Sequence, residues 1–176
     1  MQDKEKIQKA LDRFVKHVTS RAKANLTNGD RNVSKKLYNS IKGEVKVMPN
    51  SIGVYFQMEE YGEFQDQGVK GKRSSSRAPK SPFKFGSGRG KKGGLTEAIE
   101  KWVKARRFQF RDKRSKKFMS YKSTAWLITK SIYDKGLKPT LFFTKPFQEA
   151  YKNLPDELAK EYGLEVTELF KMSIKK

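Results

Sequence analysis

Apolar residues in the first part of the chain recur at spacings of three and four. Ile7, Leu11, Phe14, Val15, Val18, Ala22 and Leu26 fall on one stripe and predict an amphipathic helix over residues 2–26. Asn28-Gly29 then offers a C-terminal stop. Ser34 is placed to cap a short second helix with Leu37 and Ile41 on one face. The period then changes to two. Val45 and Val47 share one side of Glu44–Met48, and Pro49-Asn50 is a turn signal. Ile52, Val54, Phe56 and Met58 alternate against Gly53, Tyr55 and Gln57, completing a half-buried hairpin. Tyr61–Gln67 reads either as a further strand or as the entry to a loop.

The pattern stops between Gln67 and Gly94. This stretch holds seven Gly, five Ser, two Pro and nine Lys/Arg, and no acidic residue. It carries no apolar period, so it predicts a long flexible arm rather than a packed element. A structureless stretch of this length inside a domain is uncommon, and one that occurs is usually functional or disordered.

Periodicity resumes with Leu95, Ile99, Trp102 and Val103, a helix of about three turns. Phe108–Lys122 reads equally as a hairpin or a loop. Ser123 is placed to cap a helix through Tyr133, with Leu127, Ile128 and Ile132 inward and Lys135-Gly136 at its end. Leu137–Phe143 is short and extended. Thr144 and Pro146 then open a helix with Phe147, Ala150, Tyr151 and Leu154 on one face. Pro155 predicts a break, followed by a last helix carrying Leu158, Tyr162, Val166, Leu169 and Phe170, with Gly163 as a kink. No internal repeat is visible. The order predicts a single α+β domain over residues 1–176: a long N-terminal helix, an antiparallel sheet of the hairpin plus further strands, and C-terminal helices. The basic Gly/Ser-rich arm, 67–94, is inserted between the hairpin region and the central helix.

Charge changes this picture more than composition does. The chain has 176 residues, a net charge of +21 and an isoelectric point near 10.1. Residues 67–122 hold nineteen Lys/Arg against three acids, so this segment alone carries +16. Such a charge favours phosphate or an acidic protein face. No run of 18 apolar residues exists, and MQDKEKIQKALDRF lacks the apolar core of a signal peptide, so a membrane partner is not expected. The absence of cysteine excludes disulfides and thiolate metal sites, and fits synthesis in a cytoplasm.

The candidate cations for meeting DNA or a protein partner are Lys70, Lys72, Arg73, Arg77, Lys80, Lys84, Arg89, Lys91, Lys92, Arg106 and Arg107. Aromatic residues are interleaved with them: Phe83, Phe85, Phe108, Phe110, Phe118 and Tyr121. Rings among cations suit single-stranded nucleic acid. With no RNA-binding signature beside them, Phe83 and Phe85 are read first as anchors of the arm.

Catalytic patterns fail on context. Residues 88–93 match GxGxxG, but a Ser/Pro/Lys run stands where a dinucleotide site needs an apolar strand. Gly94 occupies the position at which a P-loop needs Lys. His17 is the single histidine and has no partner ligands in the sequence. Glu59, Glu60, Glu63 and Asp66 cluster before the arm and read as a solvated, ion-paired turn rather than an oxygen-only metal site. No catalytic, metal-binding or cofactor-binding residue is expected, and no enzymatic activity.

Three collinear segments resemble the tail-completion or neck proteins of tailed phages. Ser34-Lys-Lys-Leu37-Tyr-Asn-Ser40-Ile41 resembles the family's Leu-x-x-Ser-Ile turn before the hairpin. Tyr61-Gly-Glu-Phe64-Gln-Asp-Gln-Gly68 is similar to its Tyr-Ala-x-x-x-Glu-x-Gly element, with Asp66 at the acidic place and Val69 where Thr is usual. Pro139-Thr-Leu-Phe142-Phe143-Thr-Lys-Pro146-Phe147-x-x-Ala150 resembles the Pro-x-x-Phe, then Pro-Phe-x-x-Ala, pattern that opens the C-terminal helix. The resemblance spans about residues 5–172. It implies a virion subunit made in the host cytoplasm that forms a homo-oligomeric ring at the head–tail junction. Its neighbours would be portal, adaptor or tail-tube proteins, with genome DNA passing through the lumen. The basic insertion is longer than the resemblance leads one to expect.

Overall fold

The N-terminal stripe folds as predicted. In the computed structural model, which describes residues 2–29, 34–48, 51–86 and 94–162, helix α1 spans Gln2–Asn28. Its apolar face is buried from Ile7 to Leu26. Gly29 closes the helix by donating to the Asn25 carbonyl at 2.9 Å. Helix α2 is Lys36–Ser40, with Leu37 and the following Ile41 buried. Its cap differs from expectation. Lys35, in the left-handed region at φ 52°, takes the N-cap position, and the Ser34 hydroxyl accepts only a long 3.4 Å bond from Lys36. Strands β1 (Lys42–Met48) and β2 (Ser51–Gln57) form the antiparallel hairpin, with Val45 opposite Val54 and Val47 opposite Ile52. The Pro49-Asn50 turn signal lies outside the described residues.

The protein is α+β: a long N-terminal helix, an antiparallel hairpin sheet and C-terminal helices. The chain groups into two compact units. One is Met1–Glu60 with Leu141–Lys176, and the other is Tyr61–Thr140.

The first unit is built on α1. Helix α6, Thr144–Tyr162, packs Leu154 and Leu158 against Ile7, Leu11 and Phe14, while Val54 and Phe56 of the hairpin pack onto the same cluster. At its centre, the Phe14 ring meets Phe56 at 6.2 Å and Phe147 at 5.6 Å, both edge-on. Phe56 in turn meets Phe143 at 5.2 Å. Edge-to-face pairs set the positive ring edge on a negative face and add to the burial of their area. Helix α6 runs on through Pro155, where the sequence predicts a break. Proline costs a helix hydrogen bond, and burial of Leu154 and Leu158 on either side offsets that loss. Val166, Leu169, Phe170 and the Gly163 kink lie outside the described residues.

The second unit opens with helix α3 (Tyr61–Gln67), a segment whose pattern reads as strand or loop. Strand β3, Val69–Lys70, then pairs antiparallel with β4, Gly136–Leu137. On its other side Lys70 forms a parallel bridge with Lys84: the Lys70 amide donates to Phe83 O at 2.8 Å, and Phe85 donates to Lys70 O at 2.9 Å. The expectation of a stretch without a packed element therefore does not hold for residues 67–86. Val69, Ala78 and Ser81 are buried there, and the Ser81 hydroxyl donates to Gly68 O at 2.7 Å. Backbone bonds and close approach build this segment, and neither leaves a hydrophobic period. Residues 87–93 of the expected arm lie outside the described residues.

Helices α4 (Gly94–Ala105) and α5 (Tyr121–Lys135) pack on each other, and Val103, Thr124 and Ala125 on them are fully buried. The cap of α5 is Ser120, not Ser123: its hydroxyl accepts from the Ser123 amide at 3.1 Å. Leu127, expected inward, is exposed. Gly136, at φ 89°, ends α5 as expected from Lys135-Gly136.

The tightest approach in this unit is at Gly71. A Cβ there would collide with the Asp134 carbonyl and sit 2.6 Å from the Gly136 amide nitrogen, both backbone atoms. Gly71→Ala is expected to destabilise the second unit by about 3 kcal/mol, the upper part of the range for overpacking. Chemical denaturation followed by tryptophan emission checks this directly, because both tryptophans, Trp102 and Trp126, lie in that unit. An unchanged midpoint would mean that β3 and β4 part at little cost.

Candidate partner interface on the second unit

The second unit carries 22 Lys/Arg against six acids, +16 of the chain's +21. The predicted cations fall into two groups. In residues 70–84, several hold the loop together. Arg77 donates to the Gly136 carbonyl at 3.3 Å, and Arg73 lies 3.6 Å from the Asp134 carboxylate. Lys72 lies over the Tyr133 ring, 5.9 Å from its centre. Lys70 is half-buried, whereas Lys80 and Lys84 are exposed. Phe83 packs edge-on to Phe64 at 4.7 Å, and Phe85 packs on Tyr133 at 5.6 Å. Both rings thus join the loop to the helices of its own unit. Arg89, Lys91 and Lys92, with the GxGxxG match, lie outside the described residues.

The second group follows α4. Arg106 and Arg107 are exposed. Arg107 adopts φ 51° and donates to Lys104 O, while Phe108 donates to Val103 O at 2.9 Å. This is a Schellman stop with arginine in the place usually held by glycine. The turn seats Phe108 beside Trp102, with ring centres 6.3 Å apart, and Phe110 against Phe108 at 5.2 Å.

Residues 108–120, undecided from sequence, form a small hairpin-like excursion. Met119 donates to Phe110 O at 2.8 Å, Arg111 bridges Phe118, and the Gln109 side-chain Nε2 donates to Met119 O at 2.7 Å. Buried Thr124 ties the excursion to α5 by accepting from the Phe110 amide at 3.3 Å. The tip is held by Asp112, whose Oδ1 accepts from the Ser115 amide (2.7 Å), the Ser115 hydroxyl (3.0 Å) and the Arg114 amide (3.0 Å).

Around this excursion the surface is both apolar and cationic. Trp102, Phe108, Phe110, Phe118, Trp126 and Leu127 are all exposed, Phe118 at 62% and Trp126 at 55%. The Arg111 guanidinium covers Phe118 at 4.7 Å, and Lys130 covers Trp126 at 5.1 Å. Phe110, Met119 and Leu127, together with Arg111–Arg114, line an open depression of about 530 Å³. Sequence spacing singles out Phe108, Phe110 and Phe118 but places Trp102 and Leu127 in the core. Helical spacing marks a side chain as facing inward only where a neighbouring element is there to cover it.

The expected solvated turn does not hold for Asp66, which is buried on α3. Glu59 pairs with Lys36 at 3.0 Å in the first unit, while Glu63 and Asp66 belong to α3 in the second. Among the described residues no three of His, Asp and Glu come together as a metal site, and His17 is exposed on α1. Among them, too, no helix is long and apolar enough to cross a membrane. Compared with protein-family models, characterised proteins and solved structures, the chain matches none.

The donors from Ser115, amide first and then hydroxyl, together with the Arg114 amide, hold the Asp112 carboxyl below the usual aspartate range. A depressed folded value contributes stability that is present above the ordinary aspartate pKa and is lost as pH falls through the folded one. The Asp112 side chain is therefore expected to titrate, by NMR, at lower pH than in a short peptide. The Arg114 and Ser115 amide signals should move with it, and Asp112→Ala should remove that movement. Midpoints equal to the peptide's would show that the tip is not held by this carboxylate.

Proposed function

We propose that the chain is a structural virion protein of a tailed bacteriophage, a ring-forming subunit of the head–tail connector through which genome DNA passes. The observation that supports this reading most is the way the resembling segments are used. Gly68 ends the second segment at φ 73°, where a Cβ would lie 2.7 Å from the nitrogen of Pro139, the first residue of the third. Thr140 donates to the carbonyls of Gln65 and Asp66 at 3.1 and 3.0 Å. Segments some seventy residues apart in sequence thus make one junction. In the first segment, Leu37 and Ile41 are core residues of the helix-and-hairpin unit. A motif whose members meet in this way has a structural reason for its spacing. Closed rings need two different complementary faces per subunit, and a chain of two compact units offers more than one kind of face. Portal, adaptor or tail-tube proteins are the expected neighbours, and the role requires no catalysis.

Purified particles of the phage that encodes this chain are expected to contain it in several copies, and particles assembled without it should carry filled heads with no stably joined tail. Absence of the chain from purified particles overturns the reading.

The +16 of the second unit favours one alternative, sequence-independent nucleic-acid binding. In that case duplex DNA binds at low salt and affinity falls steeply as salt rises. Changing Lys80, Lys84 and Arg107 to Gln, three exposed cations outside the ion pairs described above, should lower both affinity and salt slope, the slope by about one for each phosphate no longer neutralised. No retention on duplex DNA at low salt rejects this alternative.

A further inference from the structure

We infer that the depression between the 108–120 excursion and α5 is a docking site for an acidic protein segment that inserts an apolar side chain. Three observations select this occupant. First, part of the lining is apolar: Phe110, Met119 and Leu127 border an open depression of about 530 Å³. An open apolar recess of this kind marks a binding surface. Second, the lining is also cationic, with Arg111, Lys113 and Arg114 at the recess. Among the described residues the one carboxylate lining the recess, Asp112, is outnumbered by Arg111, Lys113 and Arg114, so the lining is net positive. An incoming segment must bring its own negative charge, and complementary charge steers and selects partners. Third, Phe, Met and Arg gathered at one recess are residue types enriched in the energetic centre of a protein–protein interface.

Ring geometry argues against single-stranded nucleic acid at this place. Stacked bases need ring faces laid open along a track. Here Phe108 and Phe110 meet edge-on at 78°, and Phe118 and Trp126 each have a face covered by Arg111 or Lys130. The recess takes a branched side chain better than a stack of bases. Duplex DNA presents no apolar group of that shape to fill it. The site rests on the surface of the second unit alone, so it does not depend on the connector reading. Within that reading it names the kind of face a neighbouring virion protein would present.

The test uses the full chain and four probes. One is a synthetic acidic peptide of about fifteen residues, without tryptophan, carrying three Leu at helical spacing. The others are the same peptide with Ser for Leu, an oligo-dT of about twenty nucleotides, and a DNA duplex of the same length. Binding is read by anisotropy at near-physiological salt and by the emission of Trp102 and Trp126. The Leu peptide is expected to bind about tenfold more tightly than the Ser peptide and to shift tryptophan emission to the blue. Leu127→Ser, a change at an exposed position, should abolish that preference while leaving thermal unfolding in place. Arg114→Gln should weaken both peptides. Equal binding of the two peptides overturns the site, as does a preference that survives Leu127→Ser, or a blue shift produced by either DNA probe and not by the Leu peptide. None of these results bears on whether the chain is present in virions, so the site and the connector reading fail separately.

Discussion

Two strands of two residues each hold the second unit closed. Through β3 and β4, the chain that enters at Tyr61 is pinned to the chain that leaves at Thr140, and α5 packs on that clasp. The clasp is mostly backbone. Lys72 and Arg73 donate to the carbonyls of Tyr133 and Asp134, Gly71 lies against the backbone of Lys135 and Gly136, and Lys70 is paired on both sides. Backbone bonds of this sort are worth about 1 kcal/mol each net. They matter because, once buried, breaking them would leave donors and acceptors without water or partner.

This constraint explains why so basic a segment is ordered. Arg73, Arg77 and Lys72 are engaged by Asp134, the Gly136 carbonyl and the Tyr133 ring. Lys70 and Arg77 are half-buried, while Lys72, Arg73, Lys80 and Lys84 stay exposed, so residues 70–84 still display positive charge. Further charge is displayed beyond α4, where exposed arginines and lysines stand among exposed rings. The Schellman stop at Arg107 and the Asp112 tip place those rings, and Thr124 and Ser120 attach the excursion to the start of α5.

The first unit depends on a different kind of interaction. Phe14, Phe56 and Phe147 come from α1, β2 and α6, and their edge-on contacts fix the hairpin and the C-terminal helix to one helix. All three residues sit on periodic stripes, so this core is legible in the sequence. The same rule misassigns Trp102 and Leu127, which also sit on helical stripes. It marks a face as apolar, and does not tell whether an element of this chain or of another will cover it.

Spacing and composition alone were enough to specify the long first helix, the hairpin, the helical character of 95–103 and 144–154, and the concentration of positive charge in one segment. Each of these is a local property of the chain. Three-dimensional packing was needed to make Tyr61–Gln67 helical, to carry α6 through Pro155, and to order the Gly/Ser-rich stretch up to Gly86. Those outcomes depend on partners distant in sequence: Pro139 and Thr140 for the Gly68 turn, α1 for the residues around Pro155, and Tyr133–Leu137 for the loop. Hydrogen bonds between distant backbones and burial against a remote helix leave no period in the chain, so the residues that make them look like linker until the fold brings them together.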